Sequence, residues 1–104
     1  MAVCFITEFP IQGDDRTTTN YDAVNEKLTN NKAAPEGLII HYAGFDEDAG
    51  VFRITNVWQT KEQGQRYHDN EVMDAVRDVF GGEPDPSTAP ARDSTYELHH
   101  VALP

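Results

Sequence analysis

The sequence has a single cysteine, few basic residues and no long apolar run. Cys4 alone allows no intramolecular disulfide and no cysteine zinc knuckle, which is typical of a chain in a reducing cytoplasm. The 18 acidic residues outnumber the 8 basic ones and give a formal net charge of −10, which disfavours nucleic acid and anionic membranes as partners. No window approaches the roughly 20 apolar residues that span a bilayer, and the first residues do not resemble a signal peptide. We therefore expect a soluble cytoplasmic protein with no nucleic-acid or membrane partner.

Sequence motifs for common cofactors are also missing. There is no phosphate-binding loop, no dinucleotide glycine fingerprint, no kinase signature and no G-x-S-x-G motif. His99 and His100 fall on a predicted strand, where neighbouring side chains point to opposite faces, and no H-x-H spacing occurs. The sequence predicts neither a nucleotide cofactor nor a metal site.

The elements that are present indicate one domain over residues 1–104, because a chain this short closes a single hydrophobic core. Tyr21, Val24 and Leu28 have the i, i+3, i+7 spacing of one helical face, with Thr19 or Asn20 as its N-cap. A second helix begins after Thr60, which forms a capping box with Gln63, and ends at Gly81-Gly82. β-Branched and aromatic runs predict the strands. The predicted strands are 2–9, 38–45, 51–59 and 94–103, and the predicted helices are 21–30 and 61–80.

The resulting order, βαββαβ, predicts an α+β domain of the ferredoxin-like type. In that arrangement two helices pack on one face of a four-stranded antiparallel sheet. The other face has no cover, although residues on both faces of the first three strands are largely apolar or aromatic. We therefore expect a homodimer that pairs through the open sheet face.

Four residues are candidates for chemistry. His41 lies in the middle of an apolar strand, where it is either a general base or orienting donor, or a core histidine with a satisfied partner. Asn56 and Trp58 share one strand face and form either a wall for a planar aromatic ligand or, in the case of Trp58, part of the core under the second helix. Tyr67, with Glu71 at i+4, either forms the polar rim of a pocket or belongs to ordinary amphipathic patterning.

Three segments together resemble the dimeric α/β-barrel superfamily, and within it the small bacterial proteins that are like antibiotic-biosynthesis monooxygenases. The segments are Asn56-Val57-Trp58-Gln59-Thr60, the helix opening Lys61-Glu62-Gln63 with Tyr67, and Tyr96-Glu97-Leu98-His99-His100. That pattern often has a histidine nine residues after the tryptophan, whereas this chain has Tyr67 there and His68 next.

The resemblance implies that two ferredoxin-like subunits pair their sheets into a barrel, each with a pocket between sheet and helices. It also implies a cofactor-independent monooxygenase, or a related cyclase or isomerase, for a small aromatic, polyketide-like substrate. By the resemblance Asn56, Trp58 and Tyr67 would take the pocket positions, and with His41 they are the predicted catalytic residues of such an enzyme. The alternative is a non-catalytic homodimer of the same fold that binds a small ligand or has an accessory role.

Overall fold

The strands and helices of the computed structural model, which describes residues 1–104, follow the order expected from the sequence. The strands are β1 (Val3–Pro10), β2 (Leu38–Asp46), β3 (Val51–Trp58) and β4 (Arg92–Glu97). The helices are α1 (Thr19–Thr29), α2 (Lys61–Tyr67) and α3 (Met73–Phe80). A π-helical turn, His68–Val72, joins α2 to α3, and a 3₁₀ turn, Pro86–Thr88, precedes β4. None of these helices is both long and apolar enough to cross a membrane.

The sheet has the strand order β2-β3-β1-β4, and every neighbouring pair is antiparallel. With α1 on one side and the α2–α3 segment beside it, this is the ferredoxin-like α+β fold that the sequence predicted. The β1–β3 register pairs Val3 with Trp58 and Phe5 with Asn56. Residues paired in this way share a sheet face, so these four side chains lie on the helix side.

The second helical segment approaches the sheet at a glycine. A Cβ added to Gly64 would lie 2.7 Å from Cδ1 of Trp58 and 2.7 Å from a ring carbon of Phe5. Any larger residue would push α2 away from both aromatic rings. Trp58 is only 3% exposed as a result, which makes it the centre of the helix-side core.

The start and end of this segment largely match the prediction. The Thr60 hydroxyl accepts from the Gln63 amide at 3.2 Å, but the Gln63 side chain accepts from that same hydroxyl and does not return to the Thr60 N–H. Gly81 ends α3 in the left-handed conformation, with φ of 73°. The π-helical turn was not predicted, because a single extra residue barely changes the apolar spacing.

Two boundary predictions were wrong. The first helix begins at Thr19, so neither Thr19 nor Asn20 is its N-cap; Thr18 precedes it and donates its hydroxyl to Asp22 at 2.9 Å. The last strand ends at Glu97 instead of extending to residue 103, so the histidines at 99 and 100 lie beyond it. Its partner β1 begins at Val3, opposite Glu97, and leaves no further strand to pair with.

The open sheet face is less uniformly apolar than expected. One part carries Ile40, Tyr42 and Tyr96, which are 44%, 55% and 49% exposed. The other part carries an ion-pair network in which Arg53 bonds Glu8 at 2.7 Å and Asp46 at 2.8 Å. Paired charges of opposite sign on adjacent strands stabilise the sheet at that end, and the apolar surface is confined to the rest of the face.

Candidate active site

The four candidate residues all lie on the helix side of the sheet, where they form two contacting pairs. His41 and Asn56 are directly opposite each other on β2 and β3. Trp58, two residues after Asn56, packs against Tyr67 of α2, with ring centroids 5.3 Å apart and planes 46° apart. Because Asn56 and Trp58 are separated by two strand residues, their Cα atoms are about 7 Å apart, so the two pairs adjoin.

His41 is held at both ring nitrogens. Its Nδ1 lies 2.5 Å from Oδ1 of Asn56, and its Nε2 lies 2.6 Å from the hydroxyl oxygen of Tyr21. An amide oxygen only accepts, so Nδ1 carries the proton and donates it to Asn56. In the neutral imidazole Nε2 then accepts from the Tyr21 hydroxyl. The three side chains form a continuous hydrogen-bonded chain from α1 across β2 to β3.

Tyr21 is the one member of this hydrogen-bonded series that was not among the candidates predicted from the sequence. Its ring plane is nearly parallel to that of His41, at 10°, but the centroids are 6.1 Å apart because the hydroxyl lies between the two rings. The Tyr21 ring meets Phe52 edge-on at a centroid distance of 5.4 Å. Burial raises the pKa of the Tyr21 phenol, and the charge of Asp22 raises it further, so Tyr21 is protonated at neutral pH. The helical spacing indicated that Tyr21 faces the sheet, but its partner depends on how β2 lies beneath α1.

A cavity of about 510 Å³ opens beside Trp58 and Tyr67. Leu28 of α1 and Pro35 also line it, and exposed charged side chains surround its mouth. The charged side chains are Lys32, Glu36, Arg66 and Glu71. His41 and Asn56 are not part of its lining, so of the four candidates only Trp58 and Tyr67 border this cavity.

Tyr67 presents its phenol to this cavity from the last position of α2. Burial raises the pKa of Tyr67, and the nearby negative charge of Glu71 adds to the rise. Its hydroxyl is therefore a hydrogen-bond donor at neutral pH. His68 points elsewhere: its side chain is exposed and lies 3.3 Å from the carboxylate of Asp69. The tyrosine, and not the adjacent histidine, lines the cavity.

Other groups with reactive potential lie outside this region. Cys4 is buried on the opposite sheet face, paired with Tyr96 of β4. No three His, Cys, Asp or Glu side chains come together in a way that would hold a metal ion. A second groove, of about 710 Å³, separates α1 from α3 and is bridged by the Lys27–Asp78 ion pair at 2.7 Å. Its lining is mostly polar and charged.

No protein-family model matches the chain, and no curated protein matches its sequence. Solved structures do match it over nearly its whole length. A protein provisionally assigned as an antibiotic biosynthesis monooxygenase from Chloroflexus aurantiacus is 16% identical, with a TM-score of 0.62, and the match covers 99% of this chain and 98% of that one. Rv0793 from Mycobacterium tuberculosis is 13% identical, with a TM-score of 0.65 and coverage of 99% and 100%.

SnoaB from Streptomyces nogalater, described as a cofactor-independent oxygenase and solved as a variant with an asparagine replaced by alanine, also matches. It is 12% identical, with a TM-score of 0.61, and the match covers 96% of this chain and 95% of SnoaB. At identities this low the superposition over nearly the whole chain shows a shared fold and no more than that. The chain therefore has the ferredoxin-like α+β fold of the structures described as antibiotic-biosynthesis monooxygenases, which confirms the structural side of the resemblance seen in the sequence.

Proposed function

We propose that this chain is a cofactor-independent, monooxygenase-like enzyme that acts on a small aromatic, polyketide-like substrate. The observation that carries the proposal is the cavity of about 510 Å³ lined by Trp58 and Tyr67, with the hydrogen-bonded His41 and Asn56 on the same face of the sheet. Its size lies within the usual range for small-molecule sites, about 300–1,000 Å³. The fold shared with SnoaB, which is described as a cofactor-independent oxygenase, supports the same reaction class.

The site suits a flat, fused-ring molecule. Trp58 is almost fully buried, so the half-buried phenol ring of Tyr67, which packs against the indole, is the aromatic surface on which a planar ring can stack. The same strand face continues to Asn56, about 7 Å away. Oδ1 of Asn56 is occupied by His41, but its amide nitrogen keeps two N–H donors for a substrate oxygen. A fused-ring substrate is long enough to stack at Tyr67 and hydrogen bond at Asn56 at the same time.

The reaction proposed is oxidation of an activated ring CH₂ or phenol by dioxygen. A base removes one proton, and the resulting carbanion or phenolate supplies the electrons that reduce dioxygen. In the anthrone case the CH₂ becomes C=O, one oxygen atom enters the product and the other leaves as water. His41 is the base on which the removed proton ends up. Tyr67 and Asn56 donate hydrogen bonds to the developing oxyanion.

The protein contains one tryptophan, so its fluorescence reports on the proposed cavity directly. We would titrate anthrone against the protein, follow Trp58 emission, and record oxygen uptake without added cofactor. The proposal expects quenching and uptake in the wild type, with uptake lost in Asn56→Ala and Trp58→Phe. His68→Ala is the matched control, because that side chain is exposed and should leave uptake unchanged. Quenching without uptake above background would support a non-catalytic binding protein in place of the enzyme.

We also propose that the chain forms a homodimer through its open sheet face. Ile40, Tyr42 and Tyr96 present exposed apolar and aromatic surface there, without a helix to cover it. Exposed apolar patches on a sheet are typical of subunit contacts. The adjoining network around Arg53 pairs opposite charges, so a second copy would not bring a patch of one charge sign against itself.

A further inference from the structure

We infer that Tyr21 is a further catalytic residue of the proposed reaction: its hydroxyl accepts the substrate's proton while passing its own proton to His41, and Asn56 fixes the histidine in the tautomer that makes this transfer possible. The inference rests on the proposed function and names the route by which the proton leaves the substrate.

His41 has no ring nitrogen free to contact a substrate. Nδ1 is held by Asn56 at 2.5 Å and Nε2 by Tyr21 at 2.6 Å. A base must come within hydrogen-bond distance of the proton it takes, or be linked to it through an intervening group. Of the two partners of His41, only Tyr21 can pass a proton on to it. A substrate proton can therefore reach the histidine only by way of the phenolic oxygen of Tyr21.

Asn56 determines which ring nitrogen of His41 carries the proton. Because Oδ1 accepts from Nδ1, the lone pair of the neutral ring lies on Nε2 and points at Tyr21. The opposite tautomer would place a proton on Nε2 and leave that nitrogen unable to accept one. Asn56 therefore acts as a positioning residue for His41, in the way that the third member of a catalytic triad orients its histidine.

Two protons move in the proposed transfer, one from the substrate to Tyr21 and one from Tyr21 to His41. When the substrate gives its proton to the Tyr21 oxygen, the original phenolic proton moves to Nε2, and the products are a substrate anion, a neutral tyrosine and an imidazolium. No electrons are transferred in this step. In the imidazolium both nitrogens donate, Nδ1 to Asn56 and Nε2 to Tyr21, so both hydrogen bonds persist and only one changes direction. The site needs no rearrangement as charge develops.

The position of Tyr21 on α1 sets how far a substrate in the cavity must extend to contact it. Tyr21 and Leu28 lie on one face of α1, two turns and about 10 Å apart along the helix axis. Leu28 lines the cavity, and Tyr21 holds the hydrogen-bonded chain. Tyr21 is itself only partly buried. A linear tricyclic substrate held in the cavity beside Tyr67 is long enough to bring its far ring to Tyr21, which favours linear fused-ring substrates over single rings.

The test combines a Tyr21→Phe variant with imidazole nitrogen NMR of His41. Phenylalanine keeps the edge contact with Phe52 but removes the hydroxyl that joins the ring to His41. We expect kcat for oxygen uptake to fall by about 10²-fold or more, with Trp58 quenching by the substrate unchanged. In the wild type the NMR spectrum should show a protonated Nδ1 and an unprotonated Nε2. Asn56→Ala should mix the two tautomers, and Asn56→Asp, which keeps the acceptor, should restore the original one.

The outcomes separate this inference from the proposed function. If the wild type consumes oxygen and Tyr21→Phe retains its full kcat, Tyr21 is not the proton acceptor, although the enzyme assignment stands. If His41 carries its proton on Nε2, the proposed direction of transfer is wrong whatever the activity. If the wild type consumes no oxygen with anthrone or hydroquinone substrates, the proposed function and the role of Tyr21 fall together.

Discussion

Gly64 of α2 lies so close to Trp58 of β3 that a Cβ at the glycine would be 2.7 Å from Cδ1 of the indole. The same Cβ would meet the ring of Phe5 at 2.7 Å, so two aromatic side chains set the spacing between α2 and the sheet. This contact positions Trp58, and through the helix it also positions Tyr67 at the cavity. The positions of Trp58 and Tyr67 at the cavity therefore depend on residue 64 being a glycine, which has no side chain.

Gly64→Ala should lower the free energy of unfolding by about 1–3 kcal/mol, the usual cost of overpacking a core. The helical preference of alanine over glycine, about 1 kcal/mol, offsets part of that cost. Urea unfolding of the variant measures the change. Gly44→Ala is the matched control, because nothing lies within 4 Å of its added Cβ. Equal stabilities of the Gly64 and Gly44 variants would show that α2 moves freely away from the sheet.

The two tyrosines of the site should make the protein sensitive to alkaline pH. Burial is the main cause that raises the pKa of Tyr21 and of Tyr67 above the ordinary value of 10.0. A raised pKa means that the folded state holds the phenolic proton more tightly than the unfolded state. Their contribution to stability is then present below pH 10 and is lost as the pH rises through the folded-state values.

Replacing Tyr21 and Tyr67 together by phenylalanine should therefore flatten the fall of stability above pH 10. Urea midpoints measured from pH 8 to pH 11 would give the two slopes. An unchanged slope in the double variant would show that these phenols ionise in the folded protein as readily as in the unfolded chain.

Arg53 should matter more for stability than the surface arginine Arg16. Arg53 bonds Glu8, whose side chain is 11% exposed, whereas the partner of Arg16, Glu47, is 61% exposed. Removing Arg53 leaves a largely buried carboxylate without its main partner, which costs more than breaking an exposed pair. Urea unfolding of Arg53→Met and Arg16→Met should show the larger loss in the first variant. A larger loss in Arg16→Met would contradict the buried role of Glu8.

The open sheet face should control assembly. Tyr42→Asp combined with Tyr96→Asp places two charges on its exposed apolar part, where the side chains are 55% and 49% exposed. We expect sedimentation equilibrium to give a dimer for the wild type and a monomer for the double variant. Leu103→Asp, at an apolar residue beyond β4 that is 63% exposed, should remain dimeric. A wild type that sediments as a monomer at every concentration would disprove pairing through this face.

Local patterns in the sequence were enough for the order of elements. The i, i+3, i+7 spacing from Tyr21, the capping box at Thr60 and the glycine pair after Phe80 each depend on residues within a turn or two of each other. The strand alternation likewise predicted that Asn56 and Trp58 share a face, which the register confirms. These features, together with the βαββαβ order, predicted the ferredoxin-like fold.

The tertiary structure alone decided which of these side chains meet. Tyr21 and His41 are 20 positions apart and Glu8 and Arg53 are 45 apart, so each contact depends on strand register and helix placement. The end of β4 depends on where β1 begins, and the π-helical turn arises inside a segment that otherwise shows helical spacing. Helix and strand patterns are set by neighbours along the chain, whereas a site is set by packing between distant segments, and a single sequence carries no direct signal for that packing.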